Sequence, residues 1–143
     1  MTPSMELSSI SFEIHSRINN AASLIRSAKY LTAFTGAGIS VESGIPPFRG
    51  PGGLWGRYDP HTLELDFFLA HPDTAWPVIK EIFYDNFGRA KPNGAHLALA
   101  RLEAAGTLKV LITQNIDNLH YYAGSTRILV SGMPGNSWGF GAP

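Results

Sequence analysis

The chain alternates helical stripes with short apolar runs. Between Phe12 and Lys29, apolar residues recur at 14, 18, 21, 22, 25 and 28. That spacing is one face of a helix, with Ser11 as its cap and Glu13 in its first turn. Tyr30–Phe34 is short, mostly apolar and β-leaning, as expected of a buried strand. Residues 54–66 follow no period and read as loop with short helical pieces. The run Thr74–Phe87 predicts a second helix, with Pro77 in its first turn, where a missing N–H is tolerated. Pro92-Asn93-Gly94 breaks the chain. Ala95–Ala105 predicts a third helix, with Gly106 as its C-cap. Leu108–Thr113 is a second buried strand and Arg127–Val130 a third. Residues 131–143 show no periodicity, and no internal repeat is present. Helices alternating with short apolar strands predict an α/β fold around a parallel sheet of about three strands.

In such sheets ligands bind beyond the carboxyl ends of the strands. The two polar-rich segments, 35–50 and 113–120, are predicted to sit at that edge. Composition narrows the chemistry. Hydrophobic residues make up 44% of the 143 residues and charged residues 15%, a globular balance. Eleven basic residues offset eleven acidic ones, so no electrostatic footprint for nucleic acid or an anionic membrane is present. No apolar run reaches the length of about 18 residues that spans a bilayer, and the first 20 residues do not resemble a secretory signal. Cytoplasmic location is the expectation. The absence of cysteine excludes disulfides, thiol catalysis and cysteine-ligated zinc.

Thr35–Gly53 contains six glycines and three prolines directly after the first strand. Gly36-Ala37-Gly38 permits a tight turn and close approach of the backbone to a phosphate, with free N–H groups facing the negative charge. Alone, such a pair serves equally as a plain strand-to-helix turn. The ordinary dinucleotide fingerprint fits poorly. Its third glycine would fall at Val41, and its acidic ribose ligand, about 20 residues on, would fall near Tyr58 and Asp59, with no strand before it. Hydride transfer is therefore disfavoured, and the long insert reads as a flap that orders over a bound cofactor.

The motifs Gly36-Ala-Gly-Ile-Ser40, Ser43-Gly-Ile-Pro46, Phe48-Arg49, Lys91-Pro-Asn93 with Ala95-His96, Thr113-Gln-Asn-Ile-Asp117, Leu119-His120 and Ala123-Gly-Ser125 occur in order. This set resembles the signature of the sirtuins, NAD-dependent protein lysine deacylases, over residues 12–130 and over the N-terminal half of that family. The resemblance implies a partial Rossmann-like NAD-binding domain without its zinc module. It implies NAD as cofactor and an acyl-lysine protein as substrate, with acyl transfer to the ADP-ribose moiety and nicotinamide release. Gly36, Ala37, Gly38, Ile39 and Ser40 would hold the cofactor phosphates. Phe48 would shield the nicotinamide ribose, and Arg49 would approach the phosphate as a planar cation. Tyr58 is placed with the cofactor loop, and Trp55 and Tyr58 lie where a flap could reach substrate. Gln114, Asn115, Ile116 and Asp117 would line the nicotinamide pocket, where an amide and a carboxylate can fix a carboxamide. Outside this context a Gln-Asn-Ile-Asp string would more often be a helix-capping turn.

The resemblance breaks at three places. The family's catalytic histidine belongs in a His-Gly pair after Ala-Gly-Ser and a strand. Here Ser131 or Gly132 holds that position, and no histidine follows His120. His96 and His120 read as helix-packing or capping residues. Pro47 replaces the family's aspartate and stiffens the cofactor loop. After Val130 the family character stops, as a frameshift or early stop would produce. The expected organisation is a tail over 1–11, a partial NAD-binding domain over 12–130 and an irregular tail over 131–143. A non-catalytic module binding NAD, ADP-ribose or a protein is the alternative function. An incomplete sheet leaves an unpaired edge, which predicts self-association.

Overall fold

The computed structural model describes residues 3–131 apart from residue 86. Helix α1 spans Pro3–Ser27. It starts earlier than the spacing predicted, so Ser11 lies inside it, and a proline opens it at a position that needs no N–H partner. Its predicted apolar face is incompletely covered: Ile14 is 50% exposed and Ile18 58%. Strand β1, Leu31–Thr35, begins one residue after the predicted start and leaves Tyr30 outside, exposed.

After β1 a 3₁₀ helix covers Ala37–Ser43 and ends at Gly44, whose φ of 88° is left-handed and favours glycine. Short helical pieces follow over 54–56 and 60–63. The next helices are α2, Leu65–Ala70, and α3, Pro72–Ile79. The predicted helix over 74–87 is divided. Pro72 opens α3, Pro77 lies in its interior, and a π-helical turn takes over at Lys80–Asp85. A proline inside a helix removes one backbone donor and clashes with the carbonyl four residues back. Helix α4 covers Gly94–Ala104, and Gly106 follows it at φ 71°, one residue beyond the cap proper, Ala105. Strand β2 is Leu108–Thr113, α5 is Leu119–Tyr122 and β3 is Ile128–Val130.

The three strands form one parallel sheet in the order β1-β2-β3. The row Ala33, Leu111 and Ile128 shares one face, where Leu111 is fully buried. The neighbouring row Phe34, Ile112 and Leu129 lies on the other face; Phe34 is 63% exposed there and Leu129 56%. Helix α4 packs on β2 and on α5. Thr35 and Thr113 stand side by side at the carboxyl ends of β1 and β2, so both predicted polar segments leave the sheet at one edge. Among the described residues no helix is long and apolar enough to cross a membrane.

Candidate functional site

The backbone of β1 hands directly to the glycine turn. Gly36 is extended at φ −144°, and its carbonyl accepts from Ile39 N at 3.1 Å and from Asn115 Nδ2 at 3.1 Å. On the neighbouring strand, Gln114 N donates to the Thr35 carbonyl at 3.0 Å. This continues the ladder one step past β2 and aims residues 114–117 over the turn.

The two segments are welded by Ser40. Its hydroxyl is fully buried, donates to Asp117 Oδ2 at 2.6 Å and accepts from Asn115 Nδ2 at 3.1 Å. The other carboxylate oxygen, Asp117 Oδ1, accepts from Leu119 N at 3.0 Å, while Asn118 between them takes the left-handed φ of 61°. Asp117 is thus fixed by two donors at the start of α5. A buried carboxylate needs such partners.

These residues wall a cavity of about 150 Å³. Ala37, Ser40, Gln114, Asn115, Ile116 and Asp117 contribute one side; Phe48, Ile45, Pro46 and Leu54 contribute the loop side, and Phe83 and Phe87 close it. Of the residues expected to bind cofactor, these include Ala37, Ser40, Phe48, Gln114, Asn115, Ile116 and Asp117. Gly36, Gly38, Ile39, Arg49 and Tyr58 do not line the cavity. Gly36 and Ile39 lie in the adjoining turn, and Arg49 is exposed on the loop beside Phe48. Tyr58 packs with Arg57 and Glu81, its hydroxyl accepting from Arg57 at 3.4 Å, and the hydrogen bond with Glu81 raises its pKa. Arg57 also lies 3.5 Å from Glu81.

The loop over 47–55 closes on itself. Leu54 N donates to the Pro47 carbonyl at 2.9 Å, and Trp55 N donates to the Phe48 carbonyl at 3.0 Å. The Phe48 and Trp55 rings meet at 5.2 Å. A Cβ on Gly53 would lie 2.9 Å from the Arg49 carbonyl carbon and 3.0 Å from two carbonyl oxygens, so only glycine fits there.

Under the site, Thr35 Oγ1 donates to Thr113 Oγ1 at 2.9 Å and lies 2.8 Å from His120 Nε2. The rings of His96 and His120 are 4.8 Å apart, and both are buried. Burial lowers the His96 pKa, with Asp117 opposing. Burial and then the neighbouring His96 push His120 down to about 4, with Asp117 again opposing. His96 also completes a capping box with Asn93 at the start of α4, the packing and capping role expected of it.

Asn93, Ile45, Pro46, Leu54, Phe83 and Phe87 were not singled out as site residues. Asn93 before a helical run carries an N-cap signal. Phe83 and Phe87 are four apart, and their rings touch at 5.5 Å, a spacing visible in the chain once a helical turn is assumed. Ser131 N donates to the Thr113 carbonyl at 2.7 Å, which brings that residue to the same edge. Gly132 and the rest of the expected tail lie outside the described residues.

The Sir2 family model matches residues 36–138, most of the chain and both motif segments that meet at Ser40 and Asp117. The chain belongs to the Sir2 family. The match runs past Val130, into the stretch expected to be unrelated. An NAD-dependent protein deacetylase of Caldivirga maquilingensis is 50% identical over 112 residues, covering 76% of this Sir2-family chain and 42% of the relative. A second, from Sulfolobus acidocaldarius, is 48% identical over 108 residues, covering 76% and 42%. Among solved structures, a Sir2 complex with a deacetylated peptide and 3′-O-acetyl ADP ribose superposes with a TM-score of 0.74 at 41% identity, covering 79% of the chain and 46% of that structure. A Sir2 homologue–NAD complex superposes at 0.68 and 44% identity, covering 78% and 44%. The small parallel sheet with flanking helices is therefore a Sir2-type Rossmann-like fold. The chain spans less than half the length of the curated relatives it matches.

Proposed function

We propose that the glycine turn and the adjoining cavity are the NAD site of a Sir2-type protein deacylase acting on acyl-lysine protein. The observation that carries this reading is the buried Ser40–Asp117 bond, which joins the phosphate-type turn to the amide and carboxylate cluster at the sheet's carboxyl edge. The residues fit such a cofactor. Gly38 has open space around the position of a Cβ and no left-handed φ, so neither packing nor conformation among the described residues demands glycine there. A bare, outward-facing backbone suits a diphosphate. A cavity of about 150 Å³ is smaller than the ~300–1,000 Å³ of a drug-sized site. It would take one ring-sized end of a dinucleotide, with the remainder lying along the turn.

When bound, NAD would supply a leaving nicotinamide and the ribose carbon that receives the acyl oxygen. Gly36, Ala37 and Gly38 would present backbone N–H groups to the phosphates, with Ile39, whose own N–H is bonded to the Gly36 carbonyl, closing the turn behind them and Arg49 close on the loop. Phe48 would cover the ring end and exclude water. Gln114 and Asn115 would hold the carboxamide, and Asp117, held rigid by Ser40 and Leu119 N, would favour positive charge in the cavity.

A second reading, dinucleotide binding with little turnover, is favoured by Ser131. It sits at the sheet edge; either it or Gly132 takes the place where the resemblance implies a histidine, and neither a hydroxyl nor a glycine serves as a base near pH 7. Loss of a general base costs on the order of 100- to 10,000-fold in rate. Calorimetry with NAD tests the binding site; absence of any binding heat at millimolar NAD would refute it. Nicotinamide release with an acetyl-lysine peptide, from the parent and from Ser131→His, separates the two readings. Full activity in the parent excludes the second; activity gained only by the variant supports it.

A further inference from the structure

Asn93 uses every hydrogen-bonding position of its amide. Its Oδ1 accepts from Ala95 N at 2.9 Å and His96 N at 3.4 Å, the N-cap of α4. Its Nδ2 donates to the Ile39 carbonyl at 2.7 Å and to Ser43 Oγ at 3.1 Å. An N-cap needs only the acceptor, and serine, threonine and aspartate provide it as well. The two donors therefore serve the other partner, the 3₁₀ segment Ala37–Ser43, which is 50 and 54 residues away in sequence.

That segment is held from two sides. Asn115 and Asp117, after β2, grip Gly36 and Ser40. Asn93, before α4, grips Ile39 and Ser43. A 3₁₀ helix has poorer internal hydrogen bonds than an α-helix, so external bonds set where its backbone lies. We propose that Asn93 is a positioning residue for the glycine turn: it touches no ligand, but ties the turn to the capped start of α4 and so sets the N–H groups of Ala37 and Gly38 against the cofactor. This rests on the reading of the turn as the diphosphate site.

The full chain tests this with two variants. Asn93→Asp and Asn93→Ser both keep an N-cap acceptor and remove the Nδ2 group that donates to Ile39 and Ser43. The serine variant also controls for the negative charge that aspartate brings near a diphosphate. The expected result has two parts. Amide hydrogen exchange speeds up selectively over 37–43 while the amides of α4 and β2 keep their protection, and both variants bind NAD about three- to tenfold more weakly, the loss expected for one or two hydrogen bonds. Unchanged exchange at 37–43, or exchange accelerated uniformly along the chain, overturns the proposal, the latter because a general loss of stability moves every amide. Unchanged NAD affinity in both variants overturns it as well. If the parent takes up no NAD, the site reading fails on that result, and the exchange pattern still decides for or against the tether.

Discussion

Acidification should unfold this domain through a buried imidazole. His120 is 3% exposed and held by burial and by His96 at a pKa of about 4, against an ordinary 6.5. Its Nε2 is engaged with Thr35, and its Nδ1 has no hydrogen-bond partner among the described residues, so a second proton finds no acceptor. Because the folded ring binds that proton less readily, the unfolded chain takes up protons first as pH falls. The stability contribution is complete above 6.5 and is lost toward 4. For one group with these two values, linkage gives a loss of about 2 kcal/mol at pH 5 and about 3 kcal/mol at pH 4. His96 is lowered too and adds loss in the window below 6.5, while Asp117 moderates both. Glu103 works in a lower window. Burial would raise its pKa, but bonds from Thr126 and Arg127 outweigh this and lower it below 4.5, so its contribution persists until pH falls past that value. The assay is urea unfolding at half-unit pH steps from 7.5 to 4.5, on the parent and on His120→Gln. The parent's midpoint should hold above pH 7 and fall steadily below 6.5, and the variant should show a much shallower slope whatever its absolute stability. A flat parent profile down to pH 5, or equal slopes in both proteins, would refute the reasoning.

Two further outcomes follow from the site. Ser40→Ala should destabilise by about 1–3 kcal/mol, because Asp117 Oδ2 loses its donor inside the protein, and should weaken NAD binding measured by calorimetry; a urea midpoint equal to the parent's would show that the bond contributes nothing. Gly53→Ala should cost about 1–3 kcal/mol by overpacking, since the new methyl group meets backbone on three sides, and should open the 47–55 ring to protease cleavage; an uncleaved, equally stable variant would count against the geometry.

Much of the scaffold is legible in local patterns. Two apolar runs predict β1 and β2 within a residue; β2 has no exposed position, as expected of a strand inside a parallel sheet, whereas β1 alternates half-buried with exposed residues, so its burial was not what the run implied. The polar segments after them follow directly, since a parallel sheet delivers both strand ends to one edge. Motif order along the chain then points to the family. Helix boundaries were less readable. Ser11 has the chemistry of a cap, yet α1 continues through it to Pro3, since a good cap is only a local preference that a continuing helix overrides. Likewise a single periodic stripe over 74–87 does not reveal that Pro77 and the π turn at Lys80–Asp85 divide it.

The pairings that make the site came from elsewhere. Ser40 meets Asp117 across 77 positions, and Asn93 meets Ile39 across 54. Periodicity has no reach over such distances; these bonds depend on which strand lies beside which and on the register Thr35–Thr113. Tyr58 likewise finds partners, Arg57 and Glu81, that its place in a motif-rich loop did not announce. The amino-acid order thus specifies the elements and the kinds of chemistry at their ends, because those rest on short-range sterics and burial. Which side chains share a hydrogen bond is settled when distant segments pack, because a polar group leaving water takes whichever partner the packed backbone places within about 3 Å.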